Sequence, residues 1–463
     1  MKLDMRVSVA LIVAAFLPAS AIARPATLIV RTESGVVRGA SENGSIAWKG
    51  IPYAASVAGD NRWRAPQPAA KWAGVRDSTA YGADCMQIPF PSDAAPLGAT
   101  PSETCLFANV WRPKAAGARR LPVLFWIHGG GFVNGGSSPP TYSGARLAAR
   151  GIVVVSINYR LGRFGFMANP ALDHDDDRRP HSGNYAVLDQ VAALEWTKRN
   201  IAAFGGDPND ITLMGESAGG MSVNMLLASP LTEGKFSKAI MMSGADGRMG
   251  GDATLAAAQE KARAFADAHG APIDPARLRS VPSGDIMDHL NLATLGKPST
   301  TYSGPYVDGI TVNEPRAVLA TSDLRRLRVM IGATSSDIGG PSGRMIAGAR
   351  ELGGLLARRG AAVYSYCFSY VAQSSTARGA SHASDIPFFF DTQDVKYGSA
   401  TTARDNAMGK AIASYIVNFV KNGNPNRSGL PDWQKLSSDG AGTIMDFSID
   451  GIAAPRSGAC SAS

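Results

Sequence analysis

The segment that most constrains the fold of this chain is Gly-Glu-Ser-Ala-Gly at 215–219, which joins the apolar run 211–214 to a stretch that favours a helix. Small glycines near the serine permit a tight strand-to-helix turn, and such a turn presents the serine hydroxyl above the edge of a sheet. The same turn directs the helix N-terminus and the N–H group of Ala218 toward any negative charge that develops there. We therefore predict that Ser217 is a nucleophile.

Apolar, strand-like runs alternate with helical patterns along most of the chain, which favours βαβ units and a mainly parallel sheet. The predicted strands lie at 121–127, 152–157, 211–214, 238–243, 328–333, 362–370 and near 443–447, and the predicted helices at 185–203, 217–228 and about 405–421. Together with the turn at Ser217, this order predicts the α/β-hydrolase fold, in which helices flank a central, mostly parallel, twisted sheet.

The segment 252–304 is helical in pattern but poor in strand signals, and no shift in composition marks it as a separate unit. We predict that 24–463 forms a single α/β-hydrolase domain. Within this domain, 252–304 is expected to form a helical cap over the edge of the sheet.

The N-terminus has the order of a secretory signal peptide at 1–23. Lys2 and Arg6 precede the apolar run 7–19, and Ala-Ile-Ala at 21–23 predicts cleavage after Ala23. An apolar run of about 13 residues is too short to span a membrane, which takes about 18. We expect a secreted or periplasmic protein without a membrane span.

The formal charge of +8 does not indicate a nucleic-acid partner, because the basic residues are scattered and form no run that could follow a phosphate backbone. The mixed-charge run 173–179 could be interpreted as a metal-binding loop, but such runs are more typical of a solvated surface. We expect no metal and no other cofactor.

Four cysteines in an exported chain can form disulfides. Cys85 and Cys105 flank a proline-rich loop that costs little to close, so we expect a disulfide between them. Cys367 lies in a strand-like run and Cys460 in the tail. A second disulfide is the alternative there, but we expect a buried free thiol and a free thiol in a mobile tail.

A second glycine-rich segment, His-Gly-Gly-Gly-Phe at 128–132, follows the predicted strand 121–127. Consecutive glycines let main-chain N–H groups converge on a carbonyl oxygen without obstruction from Cβ atoms. We predict that the N–H groups of Gly130, Gly131 and Ala218 form an oxyanion hole.

A serine needs a base to become a nucleophile, and the catalytic residues of α/β hydrolases follow the chain order Ser, acid, His. Three of the six histidines precede Ser217 and two lie in the predicted cap, namely His128, His174, His181, His269 and His289. His382 follows the predicted strand 362–370. His382 is therefore the predicted base.

The acid must lie between the serine and His382, preferably just after a strand, so that it can orient the imidazole and stabilise its cation. Asp337 follows the predicted strand 328–333 and meets this condition. Asp308, in Pro-Tyr-Val-Asp-Gly, is the alternative, although an aspartate in that context is simply explained by a turn. We predict Asp337 as the acid.

With these residues in place, nearly the whole mature chain resembles the carboxylesterase type-B family, which includes carboxylesterases and cholinesterases. The segments that carry the resemblance are NRWRAPQP, WAGVRD, SETCLFANVWRP, FWIHGGGF, INYRLGRFGF, GNYAVLDQ with ALEW, FGGDPNDITLMGESAGG and GASHASDIPFFF. The resemblance implies the same nucleophile, acid, base and early disulfide as the residues above. It also implies two structural ion pairs, Arg160 with Asp189 and Arg62 with Glu103.

Three features depart from the family pattern. Thr104 replaces a usual acidic residue, which affects local packing, and Asp337 replaces a usual Glu, so that the backbone or His382 must lie slightly closer. Only 45 positions separate Asp337 from His382, where the family normally inserts a longer helical region that walls the site. We therefore expect a reduced cap and a more open site, suited to bulky or extended esters.

These residues predict a serine esterase that hydrolyses carboxylic esters in two steps. His382 takes the proton of Ser217 as the serine attacks, and water later hydrolyses the acyl-enzyme. The expected partner is a small-molecule or extended ester. The alternatives are a non-catalytic, cholinesterase-like binding protein, and an amidase or peptidase that uses the same three residues.

Overall fold

The computed structural model describes residues 28–90, 93–115, 117, 119–175, 183–250, 252–295, 297, 299, 301–458 and 460. The predicted signal peptide at 1–23 and most of the run 173–179 lie outside the described residues.

The strands of the described chain make up two sheets. They are β1 (Ile29–Arg31), β2 (Val36–Arg38), β3 (Ala40–Glu42), β4 (Ser45–Pro52), β5 (Val75–Asp77), β6 (Phe107–Pro113), β7 (Leu121–Ile127), β8 (Val153–Ile157), β9 (Gly206–Glu216), β10 (Lys238–Met242), β11 (Arg328–Thr334), β12 (Ala362–Phe368), β13 (Ile444–Phe447) and β14 (Ala453–Arg456). The large sheet has eleven strands in the order β14-β13-β12-β11-β10-β9-β7-β8-β6-β4-β3, and β1, β2 and β5 form a small sheet.

The centre of the large sheet, from β13 across to β8, is parallel throughout. Its flanking pairs are antiparallel: β14 with β13 at one side, and β6 with β8, β4 with β6 and β3 with β4 at the other. Because parallel strands end at the same edge, the loops that follow β7, β9, β11 and β12 meet there.

The α-helices lie on both faces of the sheet. They are α1 (Ala145–Ala149), α2 (Gly162–Gly165), α3 (Tyr185–Asn200), α4 (Ala218–Ala228), α5 (Leu255–Ala268), α6 (Pro275–Arg279), α7 (Ser283–Met287), α8 (Pro315–Thr321), α9 (Ile346–Arg358), α10 (Ile386–Phe389), α11 (Gln393–Tyr397) and α12 (Ala403–Asn422). Alternate strand residues face opposite sides, so Phe125 packs in the same core cluster as residues of α3, α4 and α9, and Trp126 in that of α10 and α12.

The predicted α/β-hydrolase class is confirmed, and the predicted parallel strands and long helices are present with small shifts at their ends. Strand β9 begins at Gly206, five residues before the predicted start, and α3 ends at Asn200, where a 3₁₀ turn follows. The antiparallel strands before residue 113 were not predicted.

The segment 252–304 contains α5, α6 and α7 and no strand in its described part. Phe265, Leu278 and Ile286 from these helices are buried together with Phe164 and Tyr185. The cap segment is therefore held against the α2 and α3 region by a hydrophobic cluster of its own.

The structure joins Cys85 to Cys105, as their loop predicts. The expectation of free thiols at Cys367 and Cys460 is wrong, because these two residues form a second disulfide. Strand β14 pairs with β13, which itself pairs with β12, so the chain end returns to the strand that carries Cys367. Two disulfides fit an oxidising compartment, and in the described part of the chain we find no helix with the length and apolarity to cross a membrane.

Candidate active site

Ser217 lies on a tight turn between β9 and α4. Its φ of 54° and ψ of −122° are rare for a residue with a side chain, and the surrounding backbone maintains them. The Ser217 N–H donates to the carbonyl of Met242 at 2.9 Å. A Cβ atom on Gly215 would collide with the Gly219 carbonyl, and one on Gly219 with the Ile127 carbonyl. The two glycines are therefore required for this turn to pack against its neighbours.

Ser217, His382 and Asp337 form a hydrogen-bonded chain. The Oγ of Ser217 lies 2.8 Å from the Nε2 of His382, and the Nδ1 of His382 lies 2.6 Å from the Oδ1 of Asp337. A carboxylate only accepts, so Nδ1 carries the proton and Nε2 is left to accept from the serine hydroxyl. The three predicted residues thus meet in the order that general-base activation of a serine needs.

The carboxylate of Asp337 is held by more than His382. Its Oδ2 accepts from the Ser243 hydroxyl at 2.6 Å and from the Thr334 hydroxyl at 3.0 Å, and its Oδ1 accepts from the Ile338 N–H at 2.7 Å. Burial alone would raise the pKa of Asp337, but the hydrogen bonds and the charge of His382 bring this pKa below its ordinary value. The aspartate is therefore ionised and fixed in place.

Asp308, the alternative acid, does not reach the three residues. Its Oδ1 accepts from the N–H groups of Ile310, Thr311 and Val312, and its Oδ2 accepts from the Asn184 side chain at 2.9 Å. Asp308 thus organises a turn, which is the simpler interpretation of an aspartate in its sequence context.

The predicted oxyanion-hole residues line the same cavity as Ser217. Gly130 and Gly131 have φ values of 102° and 62°, which glycine adopts at little cost. Within the described chain, the N–H groups of Gly130, Gly131 and Ala218 donate to no protein acceptor. These donors are available to a substrate oxygen.

Two buried carboxyl groups near His382 were not predicted from the sequence. The Oε1 of Glu216 lies 3.3 Å from the Nε2 of His382, and the buried Asp385 follows His382 by three residues. Burial raises the pKa of Glu216 and of Asp385. Burial alone would lower the pKa of His382, but Glu216, Asp337 and Asp385 together raise it above its ordinary value. The sequence feature that could have drawn attention to Glu216 is its place next to Ser217 in the 215–219 segment.

The serine opens into a cavity of about 660 Å³. Its wall is mostly apolar, with Phe90, Phe132, Met221, Met249, Leu292, Leu295, Tyr302 and Ile338 among its side chains. Ile338, the residue after the predicted acid, is 58% exposed at this wall. A volume of about 660 Å³ is that of a small-molecule pocket.

The stretch between Asp337 and His382, which the structure describes throughout, contains one α-helix, α9.

The two ion pairs implied by the resemblance are present away from the serine. Arg160 binds the buried Asp189 with a shortest distance of 2.7 Å, and Arg62 binds Glu103 at 2.5 Å. Arg62 also donates to the Val281 carbonyl at the base of the cap segment.

In the residues that the structure describes, no group of three or more His, Cys, Asp or Glu side chains is arranged to hold a metal ion.

A mostly parallel sheet, with a serine on the turn after a central strand and a histidine and an acid on later loops of the same edge, defines an α/β hydrolase. The chain belongs to the carboxylesterase family, whose family model matches residues 26–348 and 342–455. The resemblance inferred from the sequence motifs is confirmed.

Curated relatives bear the names of esterases and hydrolases. The chain is 41% identical over 321 residues to the para-nitrobenzyl esterase of Bacillus subtilis (strain 168), and the match covers 67% of this chain and 63% of that protein. It is 44% identical over 227 residues to the fumonisin B1 esterase of Sphingopyxis macrogoltabida, covering 49% of this chain and 42% of the relative. The chain thus spans less than two thirds of the length of these relatives.

Solved structures of PNB esterases match over almost their whole length. One has a TM-score of 0.79 at 31% identity, and the match covers 92% of this chain and 96% of the chain in that structure. A thermophilic PNB esterase has a TM-score of 0.80 at 31% identity and covers 92% and 97%. The architecture of the chain is therefore that of these esterases.

Proposed function

We propose that this chain is a serine esterase that hydrolyses carboxylic esters through an acyl-enzyme on Ser217. His382 accepts the hydroxyl proton as Oγ bonds to the ester carbonyl carbon, and Asp337 stabilises the imidazolium that forms. The N–H groups of Gly130, Gly131 and Ala218 donate to the oxyanion of the tetrahedral intermediate. His382 then gives the proton to the departing alcohol.

Deacylation repeats these roles with water. His382 takes a proton from the water molecule that attacks the acyl carbonyl, and returns it to Oγ as the acid product leaves. The reaction requires one group that both accepts and donates a proton. A single imidazole between Oγ and a fixed carboxylate can do both.

One observation carries the proposal. Oγ, His382 and Asp337 form a hydrogen-bonded chain with distances of 2.8 and 2.6 Å, and Ser217 and His382 line a cavity that is also lined by Gly130, Gly131 and Ala218, whose N–H groups have no protein acceptor in the described chain. The names of the esterase relatives support the same reaction class.

Ser217→Ala tests the proposal, with Ser374→Ala as the matched control, because Ser374 is exposed and lies outside the cavity. We expect Ser217→Ala to lower kcat for a 4-nitrophenyl ester by on the order of 10⁴ or more. A fluorophosphonate probe should label the wild type and Ser374→Ala but not Ser217→Ala. Undiminished hydrolysis by Ser217→Ala would rule out the proposed nucleophile.

The proposed substrates are bulky or extended esters. The exposed Ile338 at the wall, the short stretch between Asp337 and His382 and the volume of about 660 Å³ support this preference. A series of 4-nitrophenyl esters of increasing acyl length, and a second series with bulkier alcohols, should retain kcat/KM at sizes that fill the cavity. A sharp fall beyond acetyl or methyl groups would contradict the open site.

Export through a signal peptide at 1–23 is the corresponding proposal for location. The two disulfides support an oxidising destination. N-terminal sequencing of the mature protein is expected to start at Arg24, after the predicted cleavage. An intact N-terminus on a cytoplasmic protein would contradict it.

A further inference from the structure

The cavity in front of Ser217 has two basic side chains in its wall besides His382, namely Arg248 and Lys261. Arg248 is bound to carboxylates, to Asp246 at 2.9 Å and to Glu351 at 3.5 Å. Lys261, on α5 of the cap segment, is half-buried, and its ammonium makes no ion pair or hydrogen bond with the described part of the chain. Lys261 therefore brings an unneutralised positive charge to the wall.

The apolar surroundings of Lys261 strengthen the interaction that its charge can make with an anionic group. Most of the cavity wall is apolar, and a charge pair that forms beside apolar surface is less weakened by water than one in open solvent. Asp252 also lines the cavity, but it is exposed, so its charge is hydrated and screened. A carboxylate on a substrate is the group that an ammonium in this position recognises.

Different parts of the chain form the cavity wall near His382 and the wall near Gly131. The alcohol must lie near His382, which returns a proton to it, and the carboxyl group of Glu216 lies on that side. Leu292 and Leu295 lie beside Gly131, because a Cβ atom on Gly131 would come within 3.0 and 2.6 Å of them. These leucines belong to the same cap segment as Lys261. The cap thus supplies part of the cavity wall beside the predicted oxyanion donors.

From this arrangement we infer that Lys261 is a specificity-determining residue for esters whose acyl chain ends in a carboxylate. The scissile carbonyl is held by the oxyanion donors, the methylene chain crosses the apolar wall, and the distal carboxylate binds the Lys261 ammonium. The inference rests on the proposed function, because it concerns the acyl group that is transferred to Ser217.

The test compares mono-4-nitrophenyl adipate with 4-nitrophenyl hexanoate, which have the same number of acyl carbons and differ in the terminal carboxylate. In Lys261→Met, the ratio of kcat/KM for the adipate to that for the hexanoate should fall about five- to tenfold relative to wild type. Lys261→Glu should lower the ratio further, and Lys261→Arg should keep most of it. Added salt should lower the ratio in the wild type and leave it unchanged in Lys261→Met.

Arg263→Met is the matched control, since Arg263 is an exposed cation two residues along α5 and does not line the cavity. It should leave the ratio at the wild-type value. A lysine that merely extends to solvent would give an unchanged ratio in Lys261→Met, and this result would overturn the inference.

A second substrate pair places the charge on the alcohol, 4-(hexanoyloxy)benzoate against 4-(hexanoyloxy)benzamide. Loss of discrimination in this pair instead of the adipate pair would overturn the assignment of Lys261 to the acyl side. Failure of the proposed function has a different signature, because Ser217→Ala would then still hydrolyse the uncharged hexanoate.

Discussion

His382 lies among three acidic side chains that act on it in different ways. Asp337 binds Nδ1 at 2.6 Å, while Glu216 lies 3.3 Å from Nε2, the atom that must accept the serine proton. Asp385 is buried nearby, and its charge also raises the pKa of the imidazole. Negative charge stabilises the imidazolium of the transition state, but it also favours the protonated resting histidine, which is inactive as a base.

This balance predicts the pH dependence. His382 must be neutral to accept a proton, so kcat/KM falls as the pH drops through the pKa of His382, and a raised pKa places this fall at higher pH than for a free histidine. Of the separate interactions that raise this pKa, the charge interaction with Glu216 is the largest. Glu216→Gln should therefore move the acidic limb of the kcat/KM profile to lower pH.

The profile is measured with a 4-nitrophenyl ester and normalised to its plateau, so that a loss of rate does not hide the shift. Glu233→Gln is the matched control, because Glu233 is exposed and lies outside the cavity. A limb that stays in place, or moves to higher pH, in Glu216→Gln would contradict the role given to this carboxyl group.

The choice between the two candidate acids predicts opposite results for one kind of substitution. Asp337→Asn should lower kcat by about 10³ to 10⁴, because an amide in place of the carboxylate favours the wrong histidine tautomer. Asp308→Asn should lower the free energy of unfolding by about 1–3 kcal/mol through its weakened turn and keep most of the activity. Steady-state kinetics and denaturant titrations on both variants separate the cases. The reverse pattern would identify Asp308 as the acid.

The residues of the hydrogen-bonded chain could be predicted because chain order and preceding strands limit the candidates to very few. The roles of Glu216 and Ser243 were not predicted, since these roles depend on distances across the site, although the place of Glu216 beside Ser217 did single it out. Ser243 reaches Asp337 from the loop after β10, and nothing in its local sequence distinguishes it from other serines. Local pattern thus identifies the reacting groups and misses those that tune them.

At the scale of elements, the turn between β9 and α4 packs against other turns with no space for side chains. Besides the Gly215 and Gly219 contacts, a Cβ atom on Gly220 would lie 2.7 Å from the Cα of Gly244 in the loop after β10. Helix α4 can therefore start directly beneath the serine, so that its N-terminal N–H groups face the site.

Gly219→Ala should consequently destabilise the fold, by about 1–3 kcal/mol, because the added methyl group forces the turn away from the Ile127 carbonyl. Gly284→Ala is the control, since a Cβ atom on this exposed glycine of α7 meets nothing within 4 Å. There the change should be neutral or slightly stabilising. Calorimetric Tm values for both variants test this, and an unaltered Tm in Gly219→Ala would show that the turn has room to relax.

The elements that the sequence predicted are those buried on both faces, because such strands are continuous apolar runs. Strand β4 was missed since Lys49 and Gly50 interrupt it, and its pairing with β6 shifts register between Trp48 and Ile51. Strands β1, β2 and β5 have only three residues each, too few for a periodic pattern. These segments form strands because they pair with distant parts of the chain, and not because their local sequence favours a strand.

At the scale of the whole molecule, the two disulfides constrain the chain very differently. Cys85–Cys105 closes a loop with a sequence separation of 20, whereas Cys367–Cys460 ties the end of the chain to β12 across a separation of 93. The second pairing could not be predicted, because it depends on β13 and β14 returning the tail to the sheet. In the chain-entropy description, the longer loop should stabilise the fold by roughly 1 kcal/mol more.

Serine double variants test this difference, because all four cysteines are buried and each pair loses the same two sulfur atoms. The variant lacking Cys367–Cys460 should unfold at lower denaturant than the one lacking Cys85–Cys105, each losing about 2–5 kcal/mol. Peptide mapping without reductant should first find the 367–460 link in the wild type, because free thiols there would refute the pairing itself. If the wild type shows both links and the two double variants still lose equal stability, loop length does not set the contribution of each disulfide. In that case the packing around each one in the native state sets it instead.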